Sequence, residues 1–236
     1  MSNTPVPDAL IVDLRVLKDL FAQTCKKLDV GFPDGLWLKL VEAYQEPQRH
    51  YHQLEHIQEL LELHHQHVTQ TSFSPREQGL IELAIWGHDV IYDPQSKDNE
   101  LKSAEWMKHH LPHDWLSTSE YAWLSTAILA TQHHSPHMDP TIQWLLDLDL
   151  SIFASNPARF NRYHKQIKLE YAFVPAHIFE IKRHEILSQF AKKDPLFQTP
   201  ILQATLESQA KQNLSPWQKI CPFVKPAHLL HKPLKP

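Results

Sequence analysis

Histidine dominates the chemistry open to this chain: 18 of its 236 residues are His. Imidazole is the commonest metal ligand and the usual acid or base near neutral pH. Most of the 18 must sit on the surface, so the informative ones fall on apolar helical faces. His88-Asp89 is the first such case. Leu80, Leu83, Ala84, Gly87 and Ile91 recur at helical spacing, and His88 lies on the same stripe. Asp89 follows one residue round the helix. Two ligating groups at the inner edge of an apolar helix are costly unless something compensates. A metal ion does so, and so does a hydrogen bond to a partner or to a backbone carbonyl.

Other segments offer partners. His52 and His56 are four residues apart on one face of a predicted helix that Leu60 and Leu63 continue. One can ligate while the other moves a proton, although the spacing equally suits surface histidines such as His64, His65 and His67. Asp147 and Asp149 interrupt an otherwise apolar helix. Ile142, Leu145, Leu146, Ile152 and Phe153 form a stripe that includes Asp149, which is therefore the expected buried ligand. Asp147 lines up with Pro140, Trp144 and Ser151, a more polar edge. It is the second choice, with a role orienting a histidine. His134 extends the Leu124, Ala127, Ile128, Thr131 stripe. It can complete a second metal site, bind a phosphate, or complement a helix C-terminus. Arg49 precedes His52 by three residues and shares its face if the helix reaches back that far, so it is the candidate phosphate-binding arm. Glu100 reads as a favourable charge in a first helical turn.

The elements that carry these residues read as helical throughout. The spacing predicts helices over about 8–28, 34–45, 51–68, from Ser74, from Ser117 to about His133, and over 139–154, 157–172, 175–192 and 201–213, with Glu100 opening one more. Ser74-Pro75-Arg76-Glu77 and Ser117-x-x-Glu120 are capping boxes. Pro75, Pro157, Pro175 and Pro195 are expected at helix starts, where the missing N–H costs nothing. With no convincing strand pair and no repeat, the expected fold is all-α, a single multi-helix domain over residues 1–214 followed by a Pro-rich tail over 215–236.

Composition excludes several classes. The chain has only 4 glycines, against an average near 7% of residues. Neither G-x-G-x-x-G nor G-x-x-x-x-G-K-[ST] occurs, so a dinucleotide fold and a P-loop are excluded. The net charge is −4, without the basic surplus of a nucleic-acid binder. No apolar run approaches about 18 residues, and Met1–Asp8 lacks a basic flank and apolar core. Neither a membrane span nor a signal peptide is expected. Cys25 and Cys221 form no disulfide framework, which suits a reducing cytoplasm.

The ordered set His56, His88-Asp89, Asp149, each on its own predicted helix, resembles the HD superfamily of metal-dependent phosphohydrolases. The intervals of 32 and 60 residues suit it. Tyr51-His52-Gln53-Leu54-Glu55-His56 is similar to the Y-H-N-x-x-H segment of cyclic-nucleotide phosphodiesterases, with Gln53 in place of Asn. Asp149-Leu150-Ser151 resembles their D-L-S. The chain is too short for their full domain, so cyclic-nucleotide specificity is not carried over. A closer resemblance is to bacterial proteins of this length called predicted metal-dependent HD phosphohydrolases. It rests on Glu46-Pro47-x-Arg49-x-Tyr51-His52, His88-Asp89-x-x-Tyr92-Asp93 and Asp98-Asn99-Glu100-x-x-Ser103-Ala104, and runs from about Trp37 to Asn213.

The resemblance implies an HD-type helical bundle and a divalent metal (Mn, Fe, Co, Ni, Zn or Mg) on His56, His88, Asp89 and Asp149. Asp89 is the ligand best placed to bridge to a second metal, and His52 would protonate the leaving oxygen. His134 and Arg49 remain for a second metal or the phosphate. The implied partner is a small phosphorylated substrate, by metal-activated water, with no nucleic-acid or membrane partner. Two other readings stay open. One is an HD-type di-iron oxygenase, drawing on His134 with one of His109, His110 or His133. The other is a non-catalytic metal-binding regulatory module.

Overall fold

A computed structural model describes residues 12–218. Within them the chain forms ten α-helices and no strand, as the periodicity predicts. They are α1 (Leu14–Lys27), α2 (Asp34–Tyr44), α3 (Leu54–His67), α4 (Pro75–Gly87), α5 (Asn99–His110), α6 (Thr118–Ala130), α7 (Pro140–Asp149), α8 (Pro157–Glu170), α9 (Ala176–Lys192) and α10 (Pro200–Leu214). Both capping boxes form, at Ser74 with Glu77 and at Ser117 with Glu120. Pro195 departs from its expected place: it lies between α9 and α10, and Pro200 opens α10. Among the described residues, no helix is long and apolar enough to cross a membrane. The chain groups into two compact units that divide between Asp149 and Leu150. Ser215–Gln218 form a short 3-10 turn, and the rest of the Pro-rich tail, with Cys221, lies outside the described residues.

The first unit holds α1–α7, packed about α4. That helix touches α1, α3, α5, α6 and α7, and every residue from Gly79 to Gly87 is buried. A helix enclosed on all sides has no solvent face to balance its core face. The single stripe read from the sequence therefore understates how α4 is used. Gly87 shows how tight the enclosure is. A Cβ there would lie 2.6 Å from Cγ and 2.8 Å from Sδ of the buried Met107 on α5. The second unit, α8–α10 with the 3-10 turn Leu150–Ala154, has its own aromatic core, in which the Phe153 ring lies 4.9 Å from Phe190 and 6.2 Å from Tyr163.

A buried polar layer ties α1, α3, α4 and α7 together. Glu82 on α4 is fully buried. Its Oε2 accepts from Thr24 Oγ1 at 2.9 Å, and its Oε1 meets the Lys27 ammonium and, at 2.7 Å, His65 Nε2. His64 is fully buried too, and its Nδ1 accepts from Trp144 Nε1–H at 3.0 Å. That places the ring proton on Nε2, which faces Glu82 Oε1 at 3.5 Å. His64, His65 and His67, read from spacing as surface residues, are therefore not a surface group: His64 and His67 are buried and His65 is half-buried. Burial holds His64 neutral down to about 3, despite the pull of Glu82. Burial pushes the Glu82 carboxyl up, but His65 and Lys27 outweigh it and hold it below its ordinary value.

Two outcomes follow for stability. Gly87→Ala gains helix propensity of roughly 1 kcal/mol but overpacks against Met107, for a net loss of about 1–2 kcal/mol in urea unfolding. Shortening Met107 to Ala in the same chain should relieve the overpacking. The depressed His64 pKa means that the unfolded chain takes up a proton near pH 6.5 that the folded chain refuses. Its contribution is complete above pH 6.5 and is lost as pH falls toward 3, at about 1.4 kcal/mol per pH unit. Urea midpoints between pH 5 and 6.5 should fall less steeply for His64→Gln than for the parent. Equal slopes would show that His64 is protonated in the folded state.

Candidate metal centre

The far ends of α3, α4 and α7 meet a second time. His56 lies eight residues from His64, His88 six from Glu82, and Asp149 five from Trp144. At 1.5 Å per residue the second meeting point is about 8–12 Å along the helices from the first. Here His56 Nε2 is 3.3 Å from His88 Nε2 and 3.3 Å from Asp149 Oδ1, and His88 Nε2 is 3.7 Å from that same oxygen. Ligands held about 2.0–2.2 Å from one cation stand about 3.0–3.5 Å apart, so this spacing is close to that of a coordination shell. Among the described residues, His56, His88 and Asp149 are the one such group able to hold a metal ion. Asp89 completes the rim, with Oδ2 3.1 Å from His88 Nε2 and 4.0 Å from His56 Nε2.

The orientation of His88 is set from behind. Its Nδ1 lies 2.9 Å from the Ile85 carbonyl, which can only accept, so Nδ1 carries a proton. The Nε2 of the neutral ring then presents its lone pair to the centre, as in ligating histidines that donate their other N–H to a carbonyl. Both histidines are buried, whereas Asp89 and Asp149 are 14% and 15% exposed. The site is thus sealed on its imidazole side and open on its carboxylate side. Burial opposes charge on His88, but Asp89 and Asp149 outweigh it and hold the imidazolium well above its usual range. Burial likewise pushes both carboxyls up. The His88 charge and hydrogen bond hold Asp89 ionised, and His134, His56 and His88 hold Asp149 ionised, both well below the ordinary carboxylate range. A cluster that stabilises a proton so strongly suits a cation in its place.

The remaining candidates are placed as follows. His52 does not share a helix with His56. α3 starts at Leu54 with Gln53 as its N-cap, so His52 sits in the turn before it. Its ring is nevertheless 6.2 Å from the His56 ring and stacks on Tyr92 at 4.1 Å. His134 lies in the turn that follows α6, with a left-handed backbone, φ 46°, and its Nε2 is 2.7 Å from Asp149 Oδ2, the oxygen turned away from His56. Arg49 is 1% exposed and directs its donors to Glu46 and to backbone carbonyls, which is not the expected arm along a helix face. Asp147, expected on a polar edge, is only 1% exposed and accepts from Gln143 Nε2 at 2.9 Å. Of the other histidines, His133 is exposed, and His110 folds back on its own helix, stacked on Trp106 with Nδ1 2.9 Å from the Trp106 carbonyl.

Four residues of the segments quoted above also stand around the cluster. Tyr92 flanks His52, and the Tyr51 ring lies 4.8 Å from that of His56. Asn99 and Ser103, one turn apart on α5, bracket the backbone beyond Asp89. Asn99 bonds the N–H and C=O of Asp93 at 3.1 and 2.9 Å, and Ser103 those of Ile91 at 3.1 and 3.3 Å. Glu100 between them is half-buried, and burial raises its carboxyl, with Asp89 adding to the shift.

Metal-stripped protein should bind one or more of Mn²⁺, Co²⁺ or Zn²⁺ and gain about 2.7 kcal/mol of stability at a hundredfold excess over Kd. Binding should weaken as pH falls, because a proton competes with the metal for His88. Asp149→Asn should lose the metal-induced gain while Asp147→Asn keeps it, as read by calorimetric titration. The reverse pattern would make Asp147 the ligand. No family model, curated protein or solved structure matches this chain.

Proposed function

We propose that the chain is a metal-dependent phosphohydrolase of the HD type, acting on a small phosphomonoester or phosphodiester, with nucleotides among the candidates. The reading is carried by the convergence of His56, His88 and Asp149 on one point, with Asp89 at the rim. The mixture of imidazole and carboxylate suits borderline divalent metals. A cation held by these four residues supplies Lewis-acid polarisation of a phosphoryl oxygen and lowers the pKa of water from 15.7 toward about 7.

The protein's own groups divide the remaining work. His52 carries the proton that the leaving oxygen needs. Its ring is half-buried and its plane is restricted by Tyr92, so the proton is held in one direction at the edge of the cluster. His134 engages the outer oxygen of Asp149 and leaves the inner one for the centre. The open carboxylate side leaves room for substrate, as a catalytic rather than a structural metal site requires.

A screen of divalent metals against nucleotides and generic phosphoesters, on protein purified with and without chelator, should find turnover that metal restores. His52→Ala should keep its metal. It should lose roughly 10²–10⁴ in rate on a substrate with a poor leaving group and far less on a nitrophenyl ester, whose oxygen departs unprotonated. Loss of metal by this variant would make His52 a ligand. Bound metal with no turnover of any phosphoester would favour a regulatory module, and two irons with oxygen uptake would favour an oxygenase.

A further inference from the structure

The end of α4 poses a problem that its own helix cannot solve. The last carbonyls of a helix lack intrahelical donors, and here they are buried beside the His88-Asp89 pair. Tyr44 Oη donates to the Trp86 carbonyl at 3.0 Å. Beyond it, Arg49 Nη1 donates to the Asp89 carbonyl at 2.7 Å and Nη2 to the Val90 carbonyl at 2.9 Å. Nη1 also reaches the His52 carbonyl at 3.1 Å, and Nε reaches Glu46 Oε2 at 3.0 Å. The guanidinium lies 5.1 Å from the Tyr44 ring and 5.5 Å from the Tyr92 ring. A buried guanidinium is costly unless its donors are filled. Here Nε and both Nη atoms donate to groups of the protein itself.

We propose that Arg49 is a positioning residue of the metal centre: its guanidinium pins the turn carrying His52 to the backbone carrying His88 and Asp89. This rests on the metal-centre reading above. One fork spans both segments, so the proton carrier and a ligand pair 36 residues apart share a single anchor. A positive group at a helix C-terminus is also favourable to the helix itself. Lysine cannot replace it, because an ammonium is a point charge without the planar fork that reaches three carbonyls at once. Half-buried Glu46 holds the fork from the solvent side.

The test compares the full chain with Arg49→Lys and Glu46→Gln. Glu46 is 42% exposed on its side chain, so its substitution preserves folding. Histidine-ring ¹H–¹⁵N spectra are recorded first, on metal-free protein. Arg49→Lys should shift the His52 and His88 ring signals and leave those of His64, farther along the same helices, in place. Cobalt(II) titration is the second readout. Arg49→Lys should bind about 10- to 100-fold more weakly with an altered visible spectrum, the range for residues that orient ligands. Glu46→Gln should weaken binding about 2- to 5-fold in the same direction, on the scale of one outer contact. Unmoved His52 and His88 signals in Arg49→Lys overturn the proposal. So does equal movement of His64, which marks a general loss of structure. Unchanged cobalt binding in Glu46→Gln also counts against it. Unchanged cobalt binding in Arg49→Lys with a raised KM for phosphoester makes Arg49 a substrate contact instead. A parent chain that takes up no cobalt, alongside the expected ring shifts, refutes the metal reading and leaves the anchoring role standing.

Discussion

Burial of a histidine, with a half-buried aspartate beside it, at the end of a fully enclosed helix is the constraint on which the first unit turns. Neither group can be left without compensation at that depth, and α4 cannot supply it alone. The compensation arrives from two other helices: His56 from α3 and the Asp149 carboxylate from α7. Each brings its own polar group into the same space, so each addition is at once a solution and a further cost. The result is a cluster in which charges are balanced pairwise while every inner atom faces the same point. A cation satisfies all of these atoms together, which no single internal hydrogen bond can do.

Convergence of this kind requires three helices to hold register to a fraction of an ångström. Apolar packing alone is tolerant of small slips, because one methyl can replace another in a contact. Polar layers are not, because a displaced donor loses its acceptor. The Thr24, Lys27, His64, His65, Glu82 and Trp144 layer fixes α3, α4 and α7 a few turns from the cluster. Asn99 and Ser103 fix the chain just beyond Asp89 to α5. The candidate metal centre therefore sits between two sets of specific hydrogen bonds, one on the helix side and one on the loop side.

The cluster meets solvent only along its carboxylate edge. Imidazoles buried against Ile85 and Tyr51 provide the rigid floor, and the two carboxylates reach the surface.

Helical content, the two N-terminal capping boxes and the candidate group His56, His88 and Asp149 were legible in the sequence alone. Each depends on local spacing or on residue type. What spacing could not supply was direction relative to the rest of the molecule. α4 is buried on every side and α7 on nearly every side, so the contrast between polar and apolar faces that phase arguments need is absent. Asp147 is therefore more buried than Asp149, and Asp149 reaches the cluster because it ends the helix beside α3 and α4. The buried His64 reads as a surface residue from spacing alone because its partners, Trp144 and Glu82, are distant in the chain. Arg49 and His52 lie in a turn rather than on α3 because the acceptors that hold that turn, the carbonyls of Asp89 and Val90, come from about 40 residues away. Local sequence determined which groups were available and in what order. Only tertiary structure decided which of them face one another, because hydrogen bonds between distant segments do not exist until the helices have packed.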